Sequence, residues 1–177
     1  KSKNQYKKSI KIYKKILKSH ETNDRDLFLY ASNLDKIGKW DEAKVLFFKL
    51  LEKNPKDTYT LNYVSYKLAL KDQDLELALK FIKKALQLDP ENGYFLDTLG
   101  WVEFKRKKYN SAVYFLEKSV SILPNSAEVI DHLGDCYLRL NREKEAVFEW
   151  KKALKYETDK RTIRKIKEKI IKYEYLL

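Results

Sequence analysis

Hydrophobic residues recur at intervals of three and four along most of the chain, which places them on one face of an α-helix. In the stretch 92–122 this pattern predicts one helix over 92–106 and a second over 109–122. Pro90 stands before the first helix, as expected of a residue that cannot occupy a helix interior. The pattern therefore predicts pairs of amphipathic helices joined by short turns.

The helix pairs repeat with a period of about 34 residues. A small residue recurs in the second helix of each pair, at Ala43, Ala78, Ala112 and Ala146. Another small residue stands 12 or 13 positions earlier, in the first helix, at Ala31, Ser65, Gly100 and Gly134. Prolines follow three of the pairs, at Pro55, Pro90 and Pro124. Several positions thus agree on one period.

The small residues predict a close approach of the two helices within each pair. Glycine inside a helix costs about 1 kcal/mol relative to alanine, so Gly100 and Gly134 need a compensating contact. We expect the backbones to touch there while larger neighbours interlock around them. In the turn between the helices, Gly38 and Asn141 suit a left-handed backbone, and Lys107 occupies the same position with some strain.

These marks resemble the tetratricopeptide repeat family. In the third unit they read Leu99, Gly100, Tyr109, Ala112 and Pro124. The resemblance implies an all-α fold, an α-solenoid of antiparallel helix pairs in a right-handed superhelix that ends in a C-terminal capping helix.

The same register predicts a single domain over residues 1–177. Its expected parts are the second helix of a truncated upstream repeat (1–22), four repeats (24–56, 57–91, 92–125 and 126–158) and a capping helix (159–177). The capping helix is expected to bury one apolar stripe and to expose its lysines, with the stripe formed by Ile163, Ile166, Ile170 and Ile171.

Composition narrows the classes of function. The net charge is +12, and all of the excess lies in residues 1–24 and 151–177, whereas 25–150 is neutral. A continuous phosphate-binding stripe is therefore not expected, which argues against a nucleic-acid partner. No apolar run approaches the ~20 residues that cross a bilayer. A membrane surface is likewise not an expected partner, because a run of charged residues at the end of a chain is usually a solvated face.

Candidate catalytic groups are few. The only histidines are His20 and His132, they belong to different repeats, and neither has a suitable nucleophile or carboxylate at a characteristic spacing. For His132 we expect a structural or groove-lining role. Cys136 is the only cysteine, and we expect it to pack inside a helix pair. The sequence predicts no enzyme, no metal site and no cofactor.

The resemblance also identifies the residues that would face the inner groove of the repeats. From the second repeat onward these are Tyr59, Asn62, Tyr63, Tyr66, Tyr94, Asp97, Trp101, Phe104, Lys105, Glu128, Asp131, Asp135 and Arg139. We expect an apolar side chain of a partner to bind near Trp101. An acidic wall formed by Asp97, Asp131 and Asp135 would attract its basic groups. The alternative is that the aromatic residues only pack between neighbouring first helices.

The leading interpretation is a non-enzymatic scaffold or adaptor that binds a protein or peptide segment in this groove. One alternative is a module that binds RNA or an anionic membrane surface through its basic ends. Another is a module that self-associates through the open N-terminal end of the truncated repeat. Residues 96–102, 130–135 and 148–154 also resemble the C-terminal repeats of bacterial envelope adaptors, so the bacterial envelope (periplasmic side) and the cytoplasm both stay open as locations.

Overall fold

The computed structural model describes residues 3–16 and 23–174, and within these ranges the chain forms ten α-helices and no strand. In chain order the helices are α1 (Lys3–Ile16), α2 (Asp24–Lys36), α3 (Trp40–Lys53), α4 (Thr58–Leu70), α5 (Leu75–Leu88), α6 (Gly93–Lys105), α7 (Tyr109–Ile122), α8 (Ala127–Arg139), α9 (Glu143–Ala153) and α10 (Lys160–Glu174). The two helices predicted over 92–106 and 109–122 correspond to α6 and α7. The end of the predicted first segment, residues 17–22, lies outside the described residues, as does His20.

Neighbouring helices pack in pairs, α2 with α3, α6 with α7 and α8 with α9. The small residues lie where the helices of a pair meet. A Cβ atom added to Gly100 would lie 2.6 Å from Leu116 Cγ and 3.2 Å from the carbonyl oxygen of Ala112. At Gly134 the added atom would lie 2.5 Å from the indole nitrogen of Trp150. The predicted close approach is confirmed at both glycines.

The turns between paired helices have the predicted left-handed backbone. Gly38 has φ +90°, Lys107 has φ +62° and Asn141 has φ +57°. In the second repeat, whose turn is one residue longer, Asp72 and Asp74 adopt positive φ instead. Asp74 also caps α5, because its side chain accepts the N–H of Leu77.

The chain divides into two compact units, Lys1–Val64 and Ser65–Leu177, with the division inside α4. In the first unit α1 packs against α2, and Phe47 is fully buried. In the second unit Leu116, Ile130 and Trp150 form part of one apolar cluster.

Helix α10 contributes to the core of the second unit and packs against α9. Ile166 and Ile170 are buried, as predicted for the capping helix. The predicted stripe is wrong at Ile171, which is 71% exposed. One residue along an α-helix turns the side chain by about 100°, so Ile171 cannot share the face of Ile170.

Candidate functional site

Three of the predicted groove residues belong to the first unit. Tyr63 does not point freely outward, because its ring lies 4.8 Å from Phe47 and its hydroxyl donates a 2.8 Å hydrogen bond to Asp35. Burial raises the pKa of Tyr63, and Asp35 adds to the shift. Tyr59 is largely exposed, and Asn62 is half-buried. Tyr63 is thus mainly a packing residue of its unit.

In the second unit Trp101 on α6 forms an aromatic stack with its neighbours. Its ring centroid lies 4.7 Å from that of Phe104 and 4.1 Å from that of His132 on α8, with nearly parallel planes in both pairs. Trp101 is half-buried, and its buried indole nitrogen has no hydrogen-bond acceptor among the described residues. The stack fixes the ring at the surface between two neighbouring first helices.

The expected acidic wall is wrong at Asp97. The side chain is buried and forms a 2.8 Å hydrogen bond with Nδ1 of His132. Burial by itself lowers the pKa of His132, but Asp97, Glu128 and Asp131 outweigh it and raise this pKa to about 9. The imidazole is therefore protonated at neutral pH and donates to Asp97. Asp97 supports Trp101 through this ion pair and is not available to a partner.

Asp131 and Asp135 are also engaged by this chain. Lys169 on α10 donates to both carboxylates, at 2.7 Å and 2.6 Å. Burial and the adjacent Asp135 raise the pKa of Asp131, and Lys169 opposes that shift. Trp150 donates its indole N–H to Asp135 at 3.1 Å. The expectation that these aspartates attract a partner is corrected, because a lysine already occupies the space between them.

An open groove of about 550 Å³ lies beside the stack, and we refer to it as the Trp101 groove. Helices α4, α6, α8 and α10 and the segment before α10 contribute its lining, which consists of Leu70, Trp101, Ala127, Glu128, Asp131, His132, Asp135, Glu157, Asp159, Thr162, Lys165 and Lys169. Tyr66 lies near it and donates its hydroxyl hydrogen to Glu128. Five carboxylates face two lysines and the protonated His132 in this lining, so the groove is acidic within a basic chain.

The remaining predicted residues lie outside this groove. Phe104 and Arg139 line a neighbouring cavity of about 530 Å³, where the guanidinium lies 6.0 Å from the Phe104 ring. Lys105 pairs with Asp72 at 3.0 Å. Tyr94 is 60% exposed near the start of α6.

Sequence reasoning missed the contribution of α10 to the groove. Thr162, Lys165 and Lys169 follow Glu128, Asp131 and Asp135 by 34 positions each. Helix α10 therefore continues the register of the first helices, and extending the repeat by one period would have identified these residues.

Among the described residues, few features are typical of a catalytic site. No three of their histidine, cysteine, aspartate and glutamate side chains are grouped in a way that would hold a metal ion. Cys136 is buried, and burial raises the pKa of its thiol. None of the described helices has the length and apolar character needed to cross a bilayer.

Comparisons with known proteins agree with this architecture. A family model described as tetratricopeptide repeat matches residues 67–92 and 127–160. A thermophilic TPR protein from Thermus thermophilus superposes with a TM-score of 0.81 at 19% identity, covering 95% of this chain and 92% of its own. MamA from Desulfovibrio magneticus RS-1 superposes with a TM-score of 0.70 at 18% identity, covering 85% of each chain. A search of curated proteins finds no significant match. The solved structures show the fold, an α-solenoid of antiparallel helix pairs.

Proposed function

Because this chain is built from tetratricopeptide repeats, we propose that it is a non-enzymatic adaptor that binds a segment of a protein partner in the Trp101 groove. Repeats of this kind generally act as protein-interaction scaffolds, since stacked repeats create extended binding surfaces. The observation that carries the proposal is a half-buried tryptophan, held by an ordered stack, that lines an open groove.

The groove has the mixture of surfaces that favours binding of a peptide. Trp101 is held in place by Phe104 and His132, so a partner that covers it loses little side-chain entropy at this site. Leu70 lies in the same groove and is 42% exposed, which adds an apolar contact. Aromatic residues in such positions are frequent among those that dominate binding energy.

The alternative role of the aromatic residues and the location of the protein can each be tested separately. If the aromatic stack serves only to pack α6 against α8, changes at Trp101 will alter stability and leave binding unchanged. The resemblance to bacterial envelope adaptors stays a prediction about location, which fractionation of cells that produce the protein would test.

A displayed library of random nonapeptides, selected on the full chain, tests the proposal. We expect the enriched peptides to bind about tenfold more weakly to the Leu70→Ala and Trp101→Leu variants. The matched control is Phe148→Ala, which removes an exposed apolar side chain from α9, outside the groove. Thermal melting of each variant separates loss of binding from loss of folding. Lower melting temperatures with unchanged peptide affinity would contradict the proposal.

A further inference from the structure

The Trp101 groove contains two groups of carboxylates that differ in their partners. We propose that the groove selects an extended segment carrying a lysine or arginine, and that this cation binds beside Glu128, Glu157 and Asp159 rather than at the aspartate pair on α8. This inference rests on the proposed function and specifies the chemistry of the partner.

The first step is that the aspartates are already compensated. The ammonium nitrogen of Lys169 lies within 2.7 Å of both Asp131 and Asp135, and the lysine side chain is largely buried. Asp97 is paired with His132 behind the groove. A second cation at these positions would meet Lys169 and gain little.

The second step is that the other three carboxylates have only neutral hydrogen-bond donors. Glu128 accepts from the hydroxyl of Tyr66. Glu157 accepts the backbone N–H of residues 158 and 159, and Asp159 accepts the backbone N–H and the hydroxyl of Thr162. Within the described part of the chain, no lysine or arginine forms an ion pair with any of the three. Protonated His132 acts on Glu128 and Arg161 acts on Asp159, but neither forms a direct ion pair, so negative charge is left for a partner.

The third step is that the groove also presents an aromatic surface beside these carboxylates. Trp101 lines the groove, and its indole nitrogen is buried without an acceptor among the described residues. A partner therefore meets the exposed part of the indole ring, which offers an apolar contact next to the carboxylates.

The size of the groove favours an extended segment over a helix. Its volume of about 550 Å³ is in the range of sites that hold ligands of small-molecule size. A helix with its side chains is about 10–12 Å wide and needs a longer trough. The lysine-rich α1 of a second copy is therefore a poorer occupant than a short extended segment of another protein, although its charge is suitable.

The test uses the full chain and a positional-scanning library of acetylated, amidated nonapeptides. We expect lysine or arginine to be selected at one position, next to an apolar residue. Replacing that basic residue by norleucine should weaken binding by about tenfold, as measured by fluorescence anisotropy. The affinity should also fall as salt rises from about 50 to about 500 mM, because the new ion pair is partly exposed.

Matched charge variants locate the cation. One triple variant removes the three negative charges and keeps one acceptor oxygen in each side chain: Glu128→Gln, Glu157→Gln and Asp159→Asn. The control removes the same charge elsewhere: Glu52→Gln, Glu91→Gln and Glu143→Gln. We expect about tenfold weaker binding and loss of the basic preference in the groove variant, and less than a twofold change in the control.

Three results would overturn the inference. If Leu70→Ala weakens binding but the groove triple variant does not, the adaptor role stands and the cation site fails. Selection of peptides without a basic residue would likewise leave the adaptor role standing and exclude the cation site. If peptides do not bind and light scattering shows self-association that the groove triple variant abolishes, a second copy is the occupant and both proposals fail.

Discussion

The buried ion pair behind the groove predicts a loss of stability at alkaline pH. The pKa of His132 is raised from 6.5 to about 9, since Asp97, Glu128 and Asp131 outweigh the opposing effect of burial. One pKa unit corresponds to about 1.4 kcal/mol, so the shift is equivalent to about 3 kcal/mol. The folded state binds one more proton than the unfolded state between these two values. The stabilisation is therefore complete below about pH 6.5 and is lost as the pH rises through 9.

Urea denaturation of the wild type and of the His132→Gln variant, from about pH 6 to about pH 10, measures this contribution. Other titrating groups are shared by the two proteins, so the difference between their unfolding free energies isolates His132. We expect that difference to fall by about 3 kcal/mol across the range. An NMR titration of the imidazole gives the folded pKa independently. A constant difference, or an imidazole that titrates near 6.5, would refute the assignment of a protonated ring paired with Asp97.

Three further substitutions have expected effects on unfolding free energy, each measured by urea denaturation. Gly134→Ala should destabilise by up to about 2 kcal/mol. Its Cβ would lie 2.5 Å from Trp150, and the overpacking cost of about 1–3 kcal/mol is offset only in part by the ~1 kcal/mol gain in helix propensity. A stabilised variant would contradict the close contact. Lys107→Gly should stabilise by about 0.5–1 kcal/mol, since φ is +62° there; no gain would mean that the turn is unstrained. Lys169→Gln should lower the unfolding free energy by about 1–3 kcal/mol at neutral pH, because it leaves two carboxylates without their lysine. The loss should be smaller at about pH 4, where Asp131, whose pKa is raised, begins to protonate. An equal loss at both pH values would exclude the ion pairs.

The repeat made much of the fold predictable from the sequence. Each period places a small residue, a turn residue and a proline at fixed offsets, and each has a local physical cause that recurs from copy to copy. Even the positive φ of Lys107 followed from its alignment with Gly38 and Asn141. Local constraints repeated in register determine backbone geometry well.

The partners of the charged groove residues were less predictable. Asp97 pairs with His132 at a separation of 35 residues, and Lys169 reaches Asp135 at a separation of 34. The period brings these positions side by side, but it does not say which side chains turn inward and which stay in solvent. Which side chains turn inward depends on the balance between the cost of desolvation and the gain from ion pairing in the folded chain. The predicted acidic wall therefore included carboxylates that pair with His132 or Lys169.

Helix α10 connects the charge distribution of the chain with the chemistry of its groove. The segment 151–177 carries an excess of +6, which considered alone favours an anionic partner. Lys169, however, is held by two aspartates, and Lys165 lines the same acidic groove. Part of the basic end therefore compensates carboxylates of α8 instead of forming a separate basic surface. Lys169 reaches Asp131 and Asp135 but not Glu128. Helix α10 therefore determines which end of the groove stays negative, and hence where a partner's cation is stabilised.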